Sequence, residues 1–225
     1  MALSTVQTEL DICNLAIDRI GGERIDAIGE DTPLGEYCQR SYGHKRDWLM
    51  GKHRWVCFSQ IAELNRLTTT PAGCPLAYGF NRPADLVGAI HAFRDGASSS
   101  AARVDAIQMA DFIAADTARL FAEHTARKPE ATWPVWFREL VIVAFGADLA
   151  RLNQQRGLAD DLNGLAFGTP SADGEGGLYL QAKIEDGRNA PQRGLYYDDP
   201  GPLIGARYGA SRWPFGGGVT VTIED

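Results

Sequence analysis

Apolar residues recur at helical spacing from the front of the chain. Leu10, Cys13, Ile17 and Ile20, with Ala16 beside them, predict a first helix. Thr8, followed by Asp11 three residues on, predicts a capping box at its start. Gly21-Gly22 predicts its stop, because glycine takes the left-handed cap conformation without strain. A short apolar step, Ile25 and Ile28, leads to Asp31-Thr32-Pro33, a cap followed by proline in the first turn of a second helix. Its apolar stripe is Leu34, Tyr37, Cys38, Tyr42, Trp48 and Leu49, with Ser41 and Lys45 filling the same side. The two helices are expected to form an antiparallel hairpin. A DNA-reading helix-turn-helix needs a turn of about 3–4 residues, and the stretch from Gly21 to Asp31 is too long for it.

From Trp55 the period changes to two. Val56, Phe58 and Ala62 fall on one side and Trp55, Cys57, Ser59 and Ile61 on the other, predicting a strand that ends near Leu64. After a loop over 65–75, Tyr78-Gly79-Phe80 and the run from Leu86 to Phe93 read as extended segments around a corner at Pro83. Arg94-Asp95-Gly96 is a turn signal. Residues 103–127 read in two ways. Three short strands, at Arg103–Ile107, Phe112–Ala115 and Arg119–His124, compete with one alanine-rich amphipathic helix from Val104 to Arg127.

Thr132-Trp133-Pro134 predicts the cap and start of a strongly apolar helix ending at Arg156-Gly157. Phe137, Leu140, Val141, Ala144 and Leu149 mark one face, and Val143, Ala147 and Ala150 widen it. Few charges precede Arg151, so this helix should be buried on most sides. Beyond it, Leu162 and Leu165-Ala166-Phe167 suit a single helical turn. Residues 171–177 suit a glycine-rich linker, and Leu178 to Ile184 suit a last helix capped at Asp186-Gly187. The final stretch, 189–225, is rich in glycine and proline yet carries Leu195, Tyr196, Tyr197, Leu203, Ile204, Tyr208, Trp213 and Phe215. A solvated tail seldom holds so many aromatics. Two readings stand: an arm that docks on another chain, and an arm that wraps its own domain. Val219 to Ile223 alternates as a strand suited to a partner's sheet edge.

Composition narrows the function classes. The chain of 225 residues suits one domain, or one domain with an inserted sub-domain and a tail. Acidic residues outnumber basic ones, 29 against 22, for a net charge of −7, which argues against a protein that grips DNA through its phosphates. The N-terminus has neither the basic region nor the apolar core of a signal peptide, and no apolar run approaches the ~18 residues of a membrane span. Synthesis in the cytoplasm is therefore expected. Cys13, Cys38, Cys57 and Cys74 form no CxxC pair and are expected to be reduced and buried.

The sequence offers no catalytic, cofactor-binding or metal-ligating candidate. His44, His53, His91 and His124 share no ligand spacing. Ser98-Ser99-Ser100 lacks a nucleophile elbow, and no phosphate-binding glycine loop precedes a helix. Asp160-Asp161 and Asp198-Asp199 read as solvated charges. Lys45, Arg46, Lys52 and Arg54, with His53 between, make a small basic cluster that suits an acidic partner surface or a solvated face.

One resemblance adds to this. The run ICNLAIDRIGGERIDAIGEDTP, a helix ending in Lys45-Arg46-Asp47-Trp48-Leu49, and His53-Arg54-Trp55 beyond it resemble the tail tubular protein A family. These are head-to-tail adaptors of short-tailed bacteriophages and related prophages, and gene transfer agents use similar rings. Asn14-Leu15-Ala16 and Ile20-Gly21 match that family's opening helix and turn, and Phe80, Pro83 and Asp85 fill positions comparable to its proline corner. Ala182-Lys183 and Glu185-Asp186 match the end of a long late helix in type, although Gly168, Pro170, Gly174, Gly176 and Gly177 interrupt that helix here. The resemblance covers roughly residues 8 to 208. It implies strands rather than helix over 103–127. It also implies an α+β fold: a helical core from 8–54 and 132–188, a small antiparallel β insertion at 55–127, and an extended C-terminal arm at 189–225.

For function, the resemblance implies a structural virion protein at the head-tail junction. Its partners would be the portal protein, a downstream tail or nozzle protein, and further copies of itself in a ring of twelve. Double-stranded DNA would pass the lumen without sequence-specific binding, and no membrane is involved. Leu195, Tyr196, Tyr197, Leu203, Ile204, Arg207, Tyr208, Trp213 and Phe215 would form the docking arm. The alternatives are a DNA-binding regulatory protein and, with no motif in its favour, a small hydrolase.

Overall fold

The first helix, α1 (Glu9–Arg19), starts at the predicted capping box: Thr8 Oγ1 accepts the Asp11 N–H, and Asp11 Oδ2 accepts the Thr8 N–H. It stops as glycine dictates. Gly21 has φ +66, its N–H bonds to Asp18 O, and the Gly22 N–H reaches back to Ile17 O. The structure is a computed structural model and describes residues 8–69, 73–169 and 174–189. The docking-arm residues from Leu195 to Phe215 and the Val219–Ile223 segment lie outside these described residues. Residues up to Asn189 belong to one compact unit.

The fold is α+β, with five α-helices and six strands among the described residues. Helix α2 (Pro33–Lys52) begins at Thr32, whose Oγ1 accepts the Gly35 N–H, with Pro33 in the first turn. Between the helices Asn14 replaces a backbone partner. Its amide donates to Ile25 O and accepts from Ile25 N–H, both at 2.9 Å. Direct contact between α1 and α2 is slight, and α1 leans mainly on α3 (Val135–Leu152). Helix α3 is the core of the molecule, with Phe137, Leu140, Val141, Val143, Ala144, Phe145 and Leu149 all fully buried. Each large side chain so buried contributes roughly 1.5–3 kcal/mol.

Six short strands make up the insertion: β1 (Ser59–Glu63), β2 (Tyr78–Phe80), β3 (Leu86–Arg94), β4 (Ala106–Gln108), β5 (Ile113–Ala115) and β6 (Phe121–Ala126). Strands, not a helix, therefore occupy 103–127. They form two antiparallel sheets, β1-β6-β3 and β2-β5-β4. Single bridges join the sheets at both margins, Arg66 with Phe80 and Arg94 with Arg103. The strands thus run round in the order β1-β6-β3-β4-β5-β2 and back to β1, a small closed barrel with few free edges. Leu64, Phe80, Ile113, Ala115, Leu120 and Ala122 fill it. At Gly88, φ +75, a bulge brings β3 within van der Waals contact of Gly51 at the end of α2.

Four expectations are corrected. The residues from Trp55 to Phe58 form a turn rather than the first half of a strand. Trp55 and Phe58, three apart, point into the helical core, while Val56 and Cys57 are exposed. Thr132 does not cap α3; it sits in a 3-10 turn (Glu130–Thr132), donates to Pro129 O, and Pro134 takes the cap position. Helix α3 ends at Leu152, and Arg156 opens a further helix, α4 (Arg156–Phe167), where a single turn was expected. The break falls at Gln154, which has φ 60; Gln154 N–H bonds to Arg151 O and Gln155 N–H to Ala150 O. The last helix, α5 (Gly177–Asn189), continues past Asp186-Gly187, so these residues do not cap it.

Candidate functional site

Of the residues nominated for docking, the basic cluster falls within the described part of the chain. Lys45 and Lys52 lie two helical turns apart on α2 and come together against aromatic rings. The Lys45 ammonium is 5.4 Å from the Trp48 ring and 5.9 Å from Phe167 of α4. The Lys52 ammonium is 4.5 Å from Tyr179 of α5, 5.0 Å from Phe167 and 5.3 Å from Trp48. Each ammonium is also satisfied within the chain. Lys45 pairs with Asp148 at 2.7 Å, and Lys52 donates to Gly174 O at 2.9 Å with Glu175 at 3.9 Å. Trp48, expected in the buried stripe of α2, is 48% exposed over this group and makes an edge-on contact with Phe167. Position 48 faces the lysines and the rim of α4 rather than α3, which the apolar pattern alone does not reveal.

Arg46 and Arg54 point elsewhere. Arg46 reaches Asp47 at 2.9 Å and Glu130 at 3.2 Å, and Glu130 also accepts the Tyr42 hydroxyl. Arg54 leaves the helical core for the barrel, where it pairs with Glu123. Lys45, Arg46 and Lys52 are therefore struts between α2 and its neighbours, Arg54 ties the chain just beyond α2 to β6, and each of the four is matched by a carboxylate. Such matched charges leave little local excess to attract phosphates. The exposed part of the group is an aromatic face, with Trp48 the large side chain available to a partner.

The strongest polar feature is one that the sequence did not nominate. Glu123 of β6 is 2% exposed and lies between two guanidiniums. Arg94 of β3 donates to it through Nη2 at 2.9 Å and Nε at 3.2 Å, and gives its Nη1 to Ala101 O. Burial opposes ionisation of Glu123, but the Arg94 hydrogen bonds and the Arg54 charge outweigh it and hold the carboxyl below the usual range. One residue on, the His124 ring is fully buried, with Nε2 3.1 Å from Asp85 of the proline corner. The backbone of Asp85 also accepts the Arg127 N–H. The corner that carries part of the resemblance is thus fastened to the central strand of its sheet.

A second buried carboxylate sits in α5. Asp186, 1% exposed, accepts the N–H groups of Val56 and Cys57. Above that turn Trp55 is fully buried, donates to Leu49 O, and packs on Trp136, Phe137 and Tyr179. The protein atoms packed round its sulfur, and then Asp186, push the Cys57 thiol up; in the buried Cys13–Cys38 pair the shared hydrogen bond pushes Cys13 up and Cys38 down. Burial and Lys183 lower His53; burial and Arg54 lower His91. Among the described residues no three His, Cys, Asp or Glu side chains are grouped to hold a metal ion, and no helix is long and apolar enough to cross a membrane.

A scan against models of known protein families finds no match, and no curated protein matches the chain.

Proposed function

We propose that this protein is a structural head-to-tail adaptor of a bacteriophage or related particle, and not an enzyme. Copies of it would form a ring, twelve by the resemblance, that docks under the portal, extends the DNA channel and receives the next tail or nozzle protein. The particle's head-tail junction would be its location.

What supports the reading is that the residues carrying the resemblance do framework work at defined places. Asn14 fastens the inter-helix loop at Ile25, Gly21 closes α1, Thr32-Pro33 opens α2, Trp55 anchors the aromatic core and Asp85 holds β6. The observation that bears most weight is the first, because an asparagine that bonds both backbone groups of Ile25 pins the path of the chain from α1 to Ile25, within the quoted segment. The charge balance is compatible with the reading. An acidic chain suits a channel wall past which DNA slides without sticking. Closure of a ring would need a heterologous contact between copies. Electron microscopy of portal rings mixed with the purified protein tests the proposal, with a second ring stacked on the portal as the expected image.

A further inference from the structure

We draw no further inference here: the strongest candidate, the outward face of α5 with Leu180 and Ile184 both nearly half exposed, is an unpartnered apolar stripe, and nothing in the structure shows what covers it.

Discussion

The carboxylate of Asp186 accepts the backbone N–H of Val56 at 2.6 Å and shares itself with the next N–H, that of Cys57, at 3.1 Å. The two residues are 130 positions apart in sequence. The bond ties the last helix of the described fold to the turn that leads from the helical core into the barrel. Asp186→Ala leaves both donors without their acceptor, and hydrogen bonds to a charged group are worth about 1.5–3 kcal/mol. A loss of about 2–3 kcal/mol is expected in urea unfolding, with the slope against urea unchanged. A loss below about 0.5 kcal/mol would mean that solvent replaces the carboxylate freely.

Glu123 makes the corresponding tie between β6, β3 and the chain just beyond α2. Glu123→Gln removes the charge and leaves Arg94 buried without its counter-ion, a change that costs about 3 kcal/mol or more at neutral pH. The pH dependence follows from the depressed carboxyl. Its folded-state value lies below the unfolded one, so its contribution is complete above the unfolded carboxylate range. That contribution is lost as pH falls through the folded value. Urea midpoints of the two proteins should therefore converge in acid. A gap that stays constant from pH 7 to the acid limit of folding would contradict the assignment.

Gln154 closes α3 in the left-handed conformation that glycine usually supplies. A non-glycine residue there costs about 1–2 kcal/mol, part of which is returned by lower unfolded-state entropy. Gln154→Gly is expected to raise stability by about 0.5–1 kcal/mol in thermal or urea unfolding. A destabilised variant would show that the Gln155–Ile20 side-chain contact depends on the native turn more than the strain does.

The same residue explains part of what the sequence conceals. Where glycine marked an end, as at Gly21, the boundary of α1 was legible, and so were the caps at Thr8 and Thr32. Where glutamine does that work, the glycine that suggests a helix end is Gly157, which lies inside α4. Asp186 followed by glycine resembles a helix end, but its role is set by two amides of a distant turn. The apolar positions of α3 were readable because that helix is buried nearly all round. The closure of the barrel was not, since it depends on bridges such as Arg66 with Phe80 between strands too short to carry a period. The basic cluster was visible as charge, whereas the carboxylates that neutralise it come from α3, β6 and the segments that precede α3 and α5. The aromatic residues nominated for docking fall outside the described residues, and their role is a matter for experiment.

Removing residues 190–225 tests that nomination. Residues up to Asn189 form a compact unit by themselves, so the truncated chain should still fold and unfold cooperatively in urea. Its co-sedimentation with portal rings should be lost. Unchanged co-sedimentation would remove the arm from the docking surface and turn attention to the exposed face around Trp48.

The central claim is met most directly by imaging the portal ring of the same genome after mixing it with the full-length protein. The adaptor reading predicts a second ring of density stacked on the portal, with a symmetry that gives the number of copies. Well-formed portal rings that remain bare at saturating protein would contradict it.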